Sequence, residues 1–411
     1  MPPRRPGRLG ADFHRLWLAN AVSNLGDGAT MVAGPLLVAS RTADPALIAG
    51  AVLAQQLPWL LFSLVSGAVV DRLDRRRLIV SVNLGRCLVL AALTGAIVAG
   101  IAGIRVIYLA FFLLGTGETL ADTASSALLP AVVPADRLEQ ANARLMATFV
   151  IGNQLAAKPL GAYLFVVAAA LPFGFDAGTF GLAALLVAAL RWRPVPEPGP
   201  AGGGPDRPVR RRLAAEIVEG VRALWSLPAL RMLAGCMGVL NVAFCAAFAT
   251  FVLYARDRLG LAPMGYGLLL TASAAGGLLG TALAPRLRAR FGVAALLRAG
   301  LLVEVGTHTV LATTRTPWVA GLILTVFGVH TMVWGVLVAS LRQRLVPDRL
   351  RGRIGSIYSL LDLGGAALGT ALGGVLARAG GGVLMPFWAA AATAAVVAAF
   401  AWRPMGRLDS A

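Results

Sequence analysis

The stretch that decides the fold is Gly67-Ala68-Val69-Val70-Asp71-Arg72-Leu73-Asp74-Arg75-Arg76-Arg77. It closes one long apolar run and opens the next, and it places six charges in the seven residues from Asp71 to Arg77. A bilayer core of about 30 Å is crossed by roughly 20 apolar residues of α-helix. The stretch therefore predicts a short charged turn between two membrane-spanning helices.

The rest of the chain repeats this alternation of long apolar runs and short charged breaks. Of its 411 residues, 58% are hydrophobic and only 14% are charged, whereas soluble proteins carry about 25% charged residues. Because lipid offers no partner to backbone amides, such runs must be helices. We predict an all-α membrane protein with twelve spanning helices, at roughly 13–39, 46–70, 78–100, 105–128, 143–168, 171–190, 228–254, 264–284, 294–313, 317–341, 355–377 and 383–402.

The net charge of +18 argues for membrane topology rather than for nucleic-acid binding. The arginines cluster at the ends of apolar runs, where the positive-inside rule places them, and do not form a basic face with interleaved aromatics. We predict a multi-pass protein of the inner (cytoplasmic) membrane with both termini cytoplasmic. Apart from Arg86 in the third span, only six arginines then lie on the outer side: Arg41, Arg105, Arg256, Arg258, Arg315 and Arg378.

Enzymatic chemistry has no support in the sequence. Cys87, Cys236 and Cys245 all lie inside apolar segments without metal-ligand spacing, and no ATP-binding loop or catalytic triad appears. We therefore expect no enzyme, no cofactor and no metal, and any transport must use an ion or substrate gradient.

The chain divides into two halves that repeat each other. We predict six-helix bundles at 1–190 and 228–411, joined by a cytoplasmic linker at 191–227 whose end, Arg210–Trp225, is an amphipathic helix on the membrane surface. Three motifs recur in order at nearly constant spacing. Arg72-Leu73-x-x-Arg76 recurs as Arg286-Leu287-x-x-Arg290, Val133-Pro134 with Asp136-Arg137-Leu138 recurs as Val346-Pro347-Asp348-Arg349-Leu350, and Leu160-Gly161 recurs as Leu372-Gly373. A parallel repeat of this kind is typical of two-bundle transporters with a substrate path between the halves.

The motif Gly67-x-x-x-Asp71-Arg72-x-x-Arg75-Arg76 resembles the signature loop of the major facilitator superfamily, and Arg286 to Gly292 resembles its second copy. Three further stretches are similar to the branch that includes the enterobactin exporter and macrolide efflux proteins: Leu16-Trp17-Leu18-Ala19-Asn20-x-x-Ser23-Asn24-Leu25-Gly26-Asp27, Ala127-Leu128-Leu129-Pro130-x-Val132-Val133-Pro134 and Arg351-Gly352-Arg353. The resemblance covers the whole chain and implies the major facilitator fold, in which the first, fourth, seventh and tenth helices line the cavity.

Two positions depart from the antiporter signatures of drug-exporting relatives. Phe111 stands where the fourth helix of those relatives carries an arginine, and Lys158-Pro159-Leu160-Gly161-Ala162 matches the fifth-helix pattern only in part. These departures keep a uniporter or a lysolipid flippase open as the alternative to proton antiport.

Charged residues near the bilayer centre are the candidates for coupling. Asp27 lies about 21 Å along the first helix, and Glu118 and Asp122 have the i, i+4 spacing that puts two carboxylates on one helix face. Two close carboxylates can hold and release a proton, although Asp27 and Asp122 could equally serve as local hydrogen-bond partners. Lys158, the only lysine, needs a carboxylate partner, and Asp27 and Glu118 are the candidates, in a functional or a structural pair.

The resemblance implies a cytoplasmic gate, and the polar residues of the spans suggest a cavity lining. The gate residues are Asp71, Arg72, Arg75, Arg76, Arg286 and Arg290. The lining residues are Asn24, Asn153, Gln154, Asn241, His330, Trp334, Tyr358 and Asp362. We interpret Glu304 and His308 as a structural or lipid-adjacent pair, and Arg86 as a side chain that extends towards the inner membrane surface.

Together these features predict a secondary active transporter that exports an amphipathic small molecule, such as a drug, a macrolide or a siderophore, by alternating access in exchange for protons. Its partners are the substrate, protons and the bilayer, with no nucleic acid, and it is expected to be a monomer. A membrane partner protein without transport activity is the third hypothesis.

Overall fold

The computed structural model describes residues 9–70, 72–191, 218–380, 382–406 and 408, and these residues form helices and short connections without a β-strand. Twelve long helices carry the fold of this part of the chain. They are α1 (Ala11–Ala39), α2 (Pro45–Val70), α3 (Arg75–Val98), α4 (Ile104–Val132), α5 (Ala135–Val167), α6 (Leu171–Ala188), α7 (Pro228–Phe248), α8 (Pro263–Phe291), α9 (Val293–Thr313), α10 (Pro317–Leu345), α11 (Asp348–Ala379) and α12 (Met385–Met405).

All twelve helices are long enough to span a bilayer. Eleven of those in the described ranges are also apolar enough by composition, and the exception is α1. At 29 residues α1 has the required length, but Asn20, Ser23, Asn24 and Asp27 lower its hydropathy. The low hydropathy of α1 therefore comes from polar residues in the middle part of the helix.

Several helices extend beyond the predicted spans at the ends assigned to the cytoplasm. The helix α10 ends at Leu345 with Arg342 and Arg344 in its last turn, and α8 ends at Phe291 with Arg288 and Arg290 in its last turn. Cations are favourable at helix C-termini because they face the negative end of the helix dipole. Hydropathy detects only the lipid-crossing part, so the predicted spans were too short there.

The chain forms two compact units that use the same internal packing. The first unit comprises Met1–Ala43, Gly50–Pro194 and Leu261–Thr271, and the second comprises Asp44–Ala49, Val195–Gly260 and Ala272–Ala411. In the first unit α1 packs on α5 and α6, and α3 packs on α4 and α6. In the second unit α7 packs on α11 and α12, and α9 packs on α10 and α12. Each pair recurs six helices later, as expected of a parallel repeat.

The repeat extends to one close backbone contact in each unit. A side chain at Gly115 of α4 would collide with the Gln55 carbonyl oxygen of α2, and one at Gly328 of α10 would collide with the Ser273 carbonyl oxygen of α8. The helices α4 and α10 each contain 29 residues. Small residues permit such backbone approach in membrane helix pairs.

The charged loop after α2 fixes the start of α3. The Asp74 side chain is the N-cap of α3 and accepts a hydrogen bond of 2.9 Å from the Arg77 backbone N–H. Arg75 donates to the Ala127 carbonyl oxygen of α4 at 3.2 Å, and Arg76 donates to the Val187 carbonyl oxygen of α6 at 3.3 Å. Arg76 thus satisfies a carbonyl in the last turn of α6, and Arg75 connects the start of α3 to α4.

The other four predicted gate residues are either exposed or outside the described residues. Asp71 lies outside the described residues. Arg72, Arg286 and Arg290 have exposed side chains. The gate role of all six residues stays a prediction.

Only the end of the predicted linker helix falls in the described part of the chain. Residues 218–225 are helical, Leu224 is buried in the core of the second unit, and Glu219 forms an ion pair with Arg353 of α11. These two turns are therefore held by α11.

Candidate functional site

The first unit contains an open cavity of about 480 Å³. Residues of five helices (α1, α3, α4, α5 and α6) line it. Its polar side chains are those of Asn20, Ser23, Asn24, Asp27, Asn83, Arg86, Glu118, Asp122, Ser125, Ser126, Asn142 and Asn153. The cavity thus gathers charged and amide groups inside a bundle of apolar helices.

An ion pair between Arg86 and Asp27 crosses the cavity. The Arg86 Nη2 atom lies 2.6 Å from Asp27 Oδ1, and the two side chains are 6% and 22% exposed. Both residues lie near the midpoints of their helices, α3 and α1. Because a lone charge at the bilayer centre costs about 2.5–3.5 kcal/mol, each side chain stabilises the other.

The packing around Arg86 holds its guanidinium in place. The guanidinium carbon lies 3.9 Å from the centroid of the Phe180 ring of α6, a cation–π contact. A side chain at Gly117 of α4 would meet the Arg86 Cγ and Cδ atoms at 2.8 and 2.9 Å, so this glycine makes room for the arginine stem. The buried Arg86 Nε atom has no hydrogen-bond partner within the described ranges. Arg86 therefore retains a free donor in the cavity.

Glu118 and Asp122 line the same cavity, as their i, i+4 spacing predicts. Glu118 lies at the midpoint of α4, with the Trp59 indole against its carboxyl group. Together with Asp27, these residues place three carboxyl groups within the electrostatic reach of Arg86. These carboxyl groups cannot all be ionised at once in a low-dielectric site without strong mutual repulsion.

Asp176 of α6 is a fourth carboxyl group beside this site. It is 1% exposed and accepts hydrogen bonds from the Thr30 hydroxyl at 2.6 Å and from the Thr179 hydroxyl at 3.0 Å. A side chain at Gly26 would collide with both Asp176 and Thr179. The glycine next to Asp27 thus permits the close approach of α1 and α6.

The helix α5 contributes amide groups through an irregular turn. Its residues Phe149–Ala156 form a π-helical stretch, a feature often found at functional sites. Asn153 in this stretch lines the cavity and donates to the Asn24 carbonyl oxygen at 3.1 Å. Gln154 donates to the Asn153 side-chain oxygen at 2.9 Å.

The structure corrects two predicted contacts. Lys158 is buried but has no carboxylate partner in the described part of the chain, so its predicted pairing with Asp27 or Glu118 is wrong. Arg86 does not extend towards the membrane surface, because its guanidinium is buried against Asp27 and Phe180. Arg86, rather than Lys158, supplies the cation that pairs with Asp27.

The lining residues predicted for the second unit lie at helix contacts. Asn241 of α7 donates to the Asp362 carbonyl oxygen of α11 at 2.7 Å, and the buried Tyr358 hydroxyl of α11 donates to the Leu230 carbonyl oxygen at 3.0 Å. His330 and Trp334 lie on α10 with their rings 5.7 Å apart. The structure therefore brings Asn24 and Asn153, but not these residues, to the cavity of the first unit.

Sequence reasoning missed Arg86 and Asp176 as members of the site. Arg86 is in the middle of the third span, and that depth was an available signal. Asp176 follows Leu171, the first residue of α6, by only five positions, so nothing in the linear sequence distinguishes it from a residue at the membrane surface.

Two relatives of this chain are a multidrug efflux pump and an exporter. The multidrug efflux pump Tap of Mycolicibacterium fortuitum is 29% identical over 377 residues, which cover 88% of this chain and 88% of that protein. The enterobactin exporter EntS of Shigella boydii serotype 4 is 26% identical over 395 residues, 93% of this chain and 88% of that protein. Both similarities extend over nearly the full length of the two chains.

Solved structures of transporters share the fold. The nucleoside transporter NupG matches with a TM-score of 0.74 at 13% identity, covering 97% of this chain and all of that one. A bacterial homologue of the iron transporter ferroportin in the inward-facing state also has a TM-score of 0.74, at 17% identity, with 96% and 99% coverage.

The family model described as transmembrane secretion effector matches residues 8–410. With its helices, its internal repeat and this match over almost the whole sequence, the chain belongs to the transmembrane secretion effector family of the major facilitator superfamily.

Proposed function

We propose that this protein is a secondary active exporter of the cytoplasmic membrane, which moves an amphipathic small molecule outwards by alternating access in exchange for protons. The observation that carries the proposal is the cavity in which Arg86 faces Asp27, Glu118 and Asp122. The names of the relatives, a multidrug efflux pump (Tap) and an enterobactin exporter (EntS), support the direction and the substrate class.

Charge balance in the cavity provides the coupling. Three carboxyl groups of the cavity and the buried Asp176 beside it act on a single guanidinium, and like charges in a site of low dielectric do not all ionise together. At least one carboxyl group keeps a proton while the site excludes water, and it releases the proton when water or a charged substrate enters. Arg86 stays bound to Asp27 or moves to a second carboxylate through its free Nε donor.

Arg86 also replaces the fourth-helix arginine that is absent at Phe111. The antiporter signature places an arginine on the fourth helix, but Phe111 is buried in this chain and packs 6.5 Å from the Phe173 ring. The central cation comes instead from α3 and faces Glu118 of α4. Arg86 can therefore serve as the cation of a proton antiporter in place of the fourth-helix arginine.

The test is proton-driven uptake into inside-out membrane vesicles that contain the protein. A tetracycline, erythromycin and enterobactin serve as probes, each with an acidic vesicle interior and again after addition of a protonophore. We expect accumulation of at least one probe that collapses with the gradient, together with proton release measured by a pH-sensitive dye. Transport that is unaffected by the protonophore would support the uniporter or the lysolipid flippase. Transport of a fluorescent lysolipid would then distinguish the flippase from the uniporter. A complete lack of transport of all probes would favour the non-transporting partner protein.

A further inference from the structure

A second group of titratable side chains is buried in the second unit, where α9 packs against α10. Glu304 Oε2 lies 3.6 Å from the Nε2 atom of His308, one turn along α9, and Glu304 Oε1 lies 3.4 Å from the Nε2 atom of His330 on α10. None of the three side chains is more than 9% exposed. We call these three residues the Glu304 cluster.

The surroundings of the Glu304 cluster are apolar and aromatic. The Phe327 ring lies 6.4 Å from the ring of His308 and 6.0 Å from that of His330, and Trp334 packs edge-on against His330 at 5.7 Å. On α9, Gly300 leaves space for the His330 ring.

The other charged groups of α9, α10 and α12 lie outside the Glu304 cluster, with Arg342 and Arg344 in the last turn of α10. The Arg298 guanidinium of α9 donates to the Trp402 carbonyl oxygen of α12, and Arg403 lies in the last turn of α12. The Tyr254 hydroxyl donates to the Leu311 carbonyl oxygen near the end of α9. The groups that act on Glu304 in the described part of the chain are the two histidines alone.

Several polar atoms of the Glu304 cluster have unused hydrogen-bonding capacity. Glu304 Oε2 and both ring nitrogens of His308 are buried without a hydrogen-bond partner in the described residues. Buried polar atoms without partners are costly, and a buried net charge costs more. Without an added proton the cluster carries one negative charge, and with two it carries one positive charge. One proton makes it neutral, so one proton gives the cluster its lowest electrostatic cost.

We propose that the Glu304 cluster is a proton-binding site of the second unit, which shares one proton between His308 and His330 beside an ionised Glu304. The proton resides on an imidazole because imidazole is more basic than a carboxylate. This site is separate from the carboxyl groups of the first-unit cavity, and it goes beyond the proposed function. Loss of its proton leaves an unpaired carboxylate between α9 and α10, so the proton stabilises the contact of these two helices.

The histidine content of the chain makes a direct measurement possible. The sequence contains three histidines, namely His14, His308 and His330, and His14 is exposed on α1. Nitrogen NMR of histidine-labelled protein in nanodiscs at pH 7.5 distinguishes imidazolium from neutral imidazole, and His14→Asn and His330→Asn assign the signals. We expect His308 and His330 together to contain one imidazolium. Two neutral rings would overturn the proposal, even if transport were fully proton-coupled.

Removal of the carboxylate tests the pairing itself. In Glu304→Gln the imidazolium signal should disappear while the His14 signal keeps its position, and an unchanged imidazolium signal would contradict the proposal. In His330→Asn the pair of Glu304 and His308 should keep one imidazolium, and its loss would also contradict the proposal. If Glu304→Gln does not fold, the wild-type spectrum and His330→Asn still decide. These readouts require no transport, so failure of the proposed export function would leave them unaffected.

Discussion

Arg86 and Asp27 join the middle of α3 to the middle of α1 through a contact of 2.6 Å, and the same guanidinium lies 3.9 Å from the centroid of the Phe180 ring of α6. One side chain therefore connects three helices of the first unit. The pair is also the point where carboxyl groups of α1 and α4 meet a cation. The stability of the first unit and the proposed proton coupling therefore involve the same residue.

Arg86→Met should strongly destabilise the first unit. The variant leaves Asp27 without its partner, and removal of one member of a buried ion pair costs about 3–5 kcal/mol. We expect a value near the lower end because Asp27 keeps some exposure to the cavity. Thermal unfolding in nanodiscs should show a clearly lower midpoint. Lys158→Met is the matched control, since it removes a buried cation without breaking an ion pair in the described residues. Equal losses in the two variants would contradict this role of Arg86.

The double variant Asp27→Asn with Arg86→Met should be more stable than Arg86→Met alone. It removes the uncompensated carboxylate, and replacing both members of a buried pair is much less costly than removing one. Neither variant should support proton-driven accumulation, because the cation of the site is absent from both. A double variant as unstable as the single one would show that the packing of the arginine stem, rather than its charge, supports the fold.

The sequence predicted the helices well because membrane insertion is encoded locally. Each predicted span contains a helix, and the repeat of the motif at Arg72 and Arg286 anticipated packing that recurs six helices later. Pairing between helices is not local. Lys158 and Arg86 are both cations in spans, and only the three-dimensional path of α3 and α5 determines which one reaches Asp27.

The candidate site was predictable where one helix contains the whole pattern. Glu118 and Asp122 were placed together because one turn of α4 separates them. Asp176 was missed because its role arises from the close approach of α6 to Gly26, a contact across 150 residues of sequence. The same limit applies to Glu304, whose neighbour on its own helix was recognised but whose contact with His330 on α10 was not.

Gly26→Ala should impair both folding and transport, whereas Gly178→Ala should be tolerated. A methyl group at Gly26 collides with the Asp176 carboxylate and the Thr179 hydroxyl, and overpacking of a tight site costs about 1–3 kcal/mol. At Gly178 of α6, two residues from Asp176, a Cβ atom meets nothing within 4 Å, and alanine is the better helix former by about 1 kcal/mol. Unfolding midpoints and gradient-driven uptake of both variants provide the comparison, and a stable, active Gly26→Ala would refute the close contact.

Asp74→Ala should weaken the start of α3 without abolishing transport. Loss of an N-cap costs about 0.5–2 kcal/mol, and asparagine replaces aspartate well at this position. We therefore expect a lower unfolding midpoint for Asp74→Ala and an unchanged one for Asp74→Asn. Asp71→Asn provides the contrast, since the gate hypothesis predicts normal insertion with most transport lost. If Asp71→Asn is fully active, the charged loop only fixes topology and the start of α3.

Glu118→Gln should separate proton coupling from substrate movement. Glu118 lies at the midpoint of α4, where the Trp59 indole and the Arg86 guanidinium both act on its carboxyl group. Asp122 is one turn away and more exposed. Glutamine keeps the size of the side chain but cannot release a proton, so we expect gradient-driven accumulation to fall at least tenfold while exchange of labelled for unlabelled substrate continues. Asp122→Asn, the matched control on the same helix face, should retain most of its accumulation because solvent reaches that carboxyl group more easily. If Asp122→Asn instead loses accumulation and Glu118→Gln keeps it, the proton is carried nearer the cavity opening. If both variants accumulate substrate normally, neither Glu118 nor Asp122 carries the coupled proton, and Asp27, Asp176 or a group elsewhere in the chain must carry it.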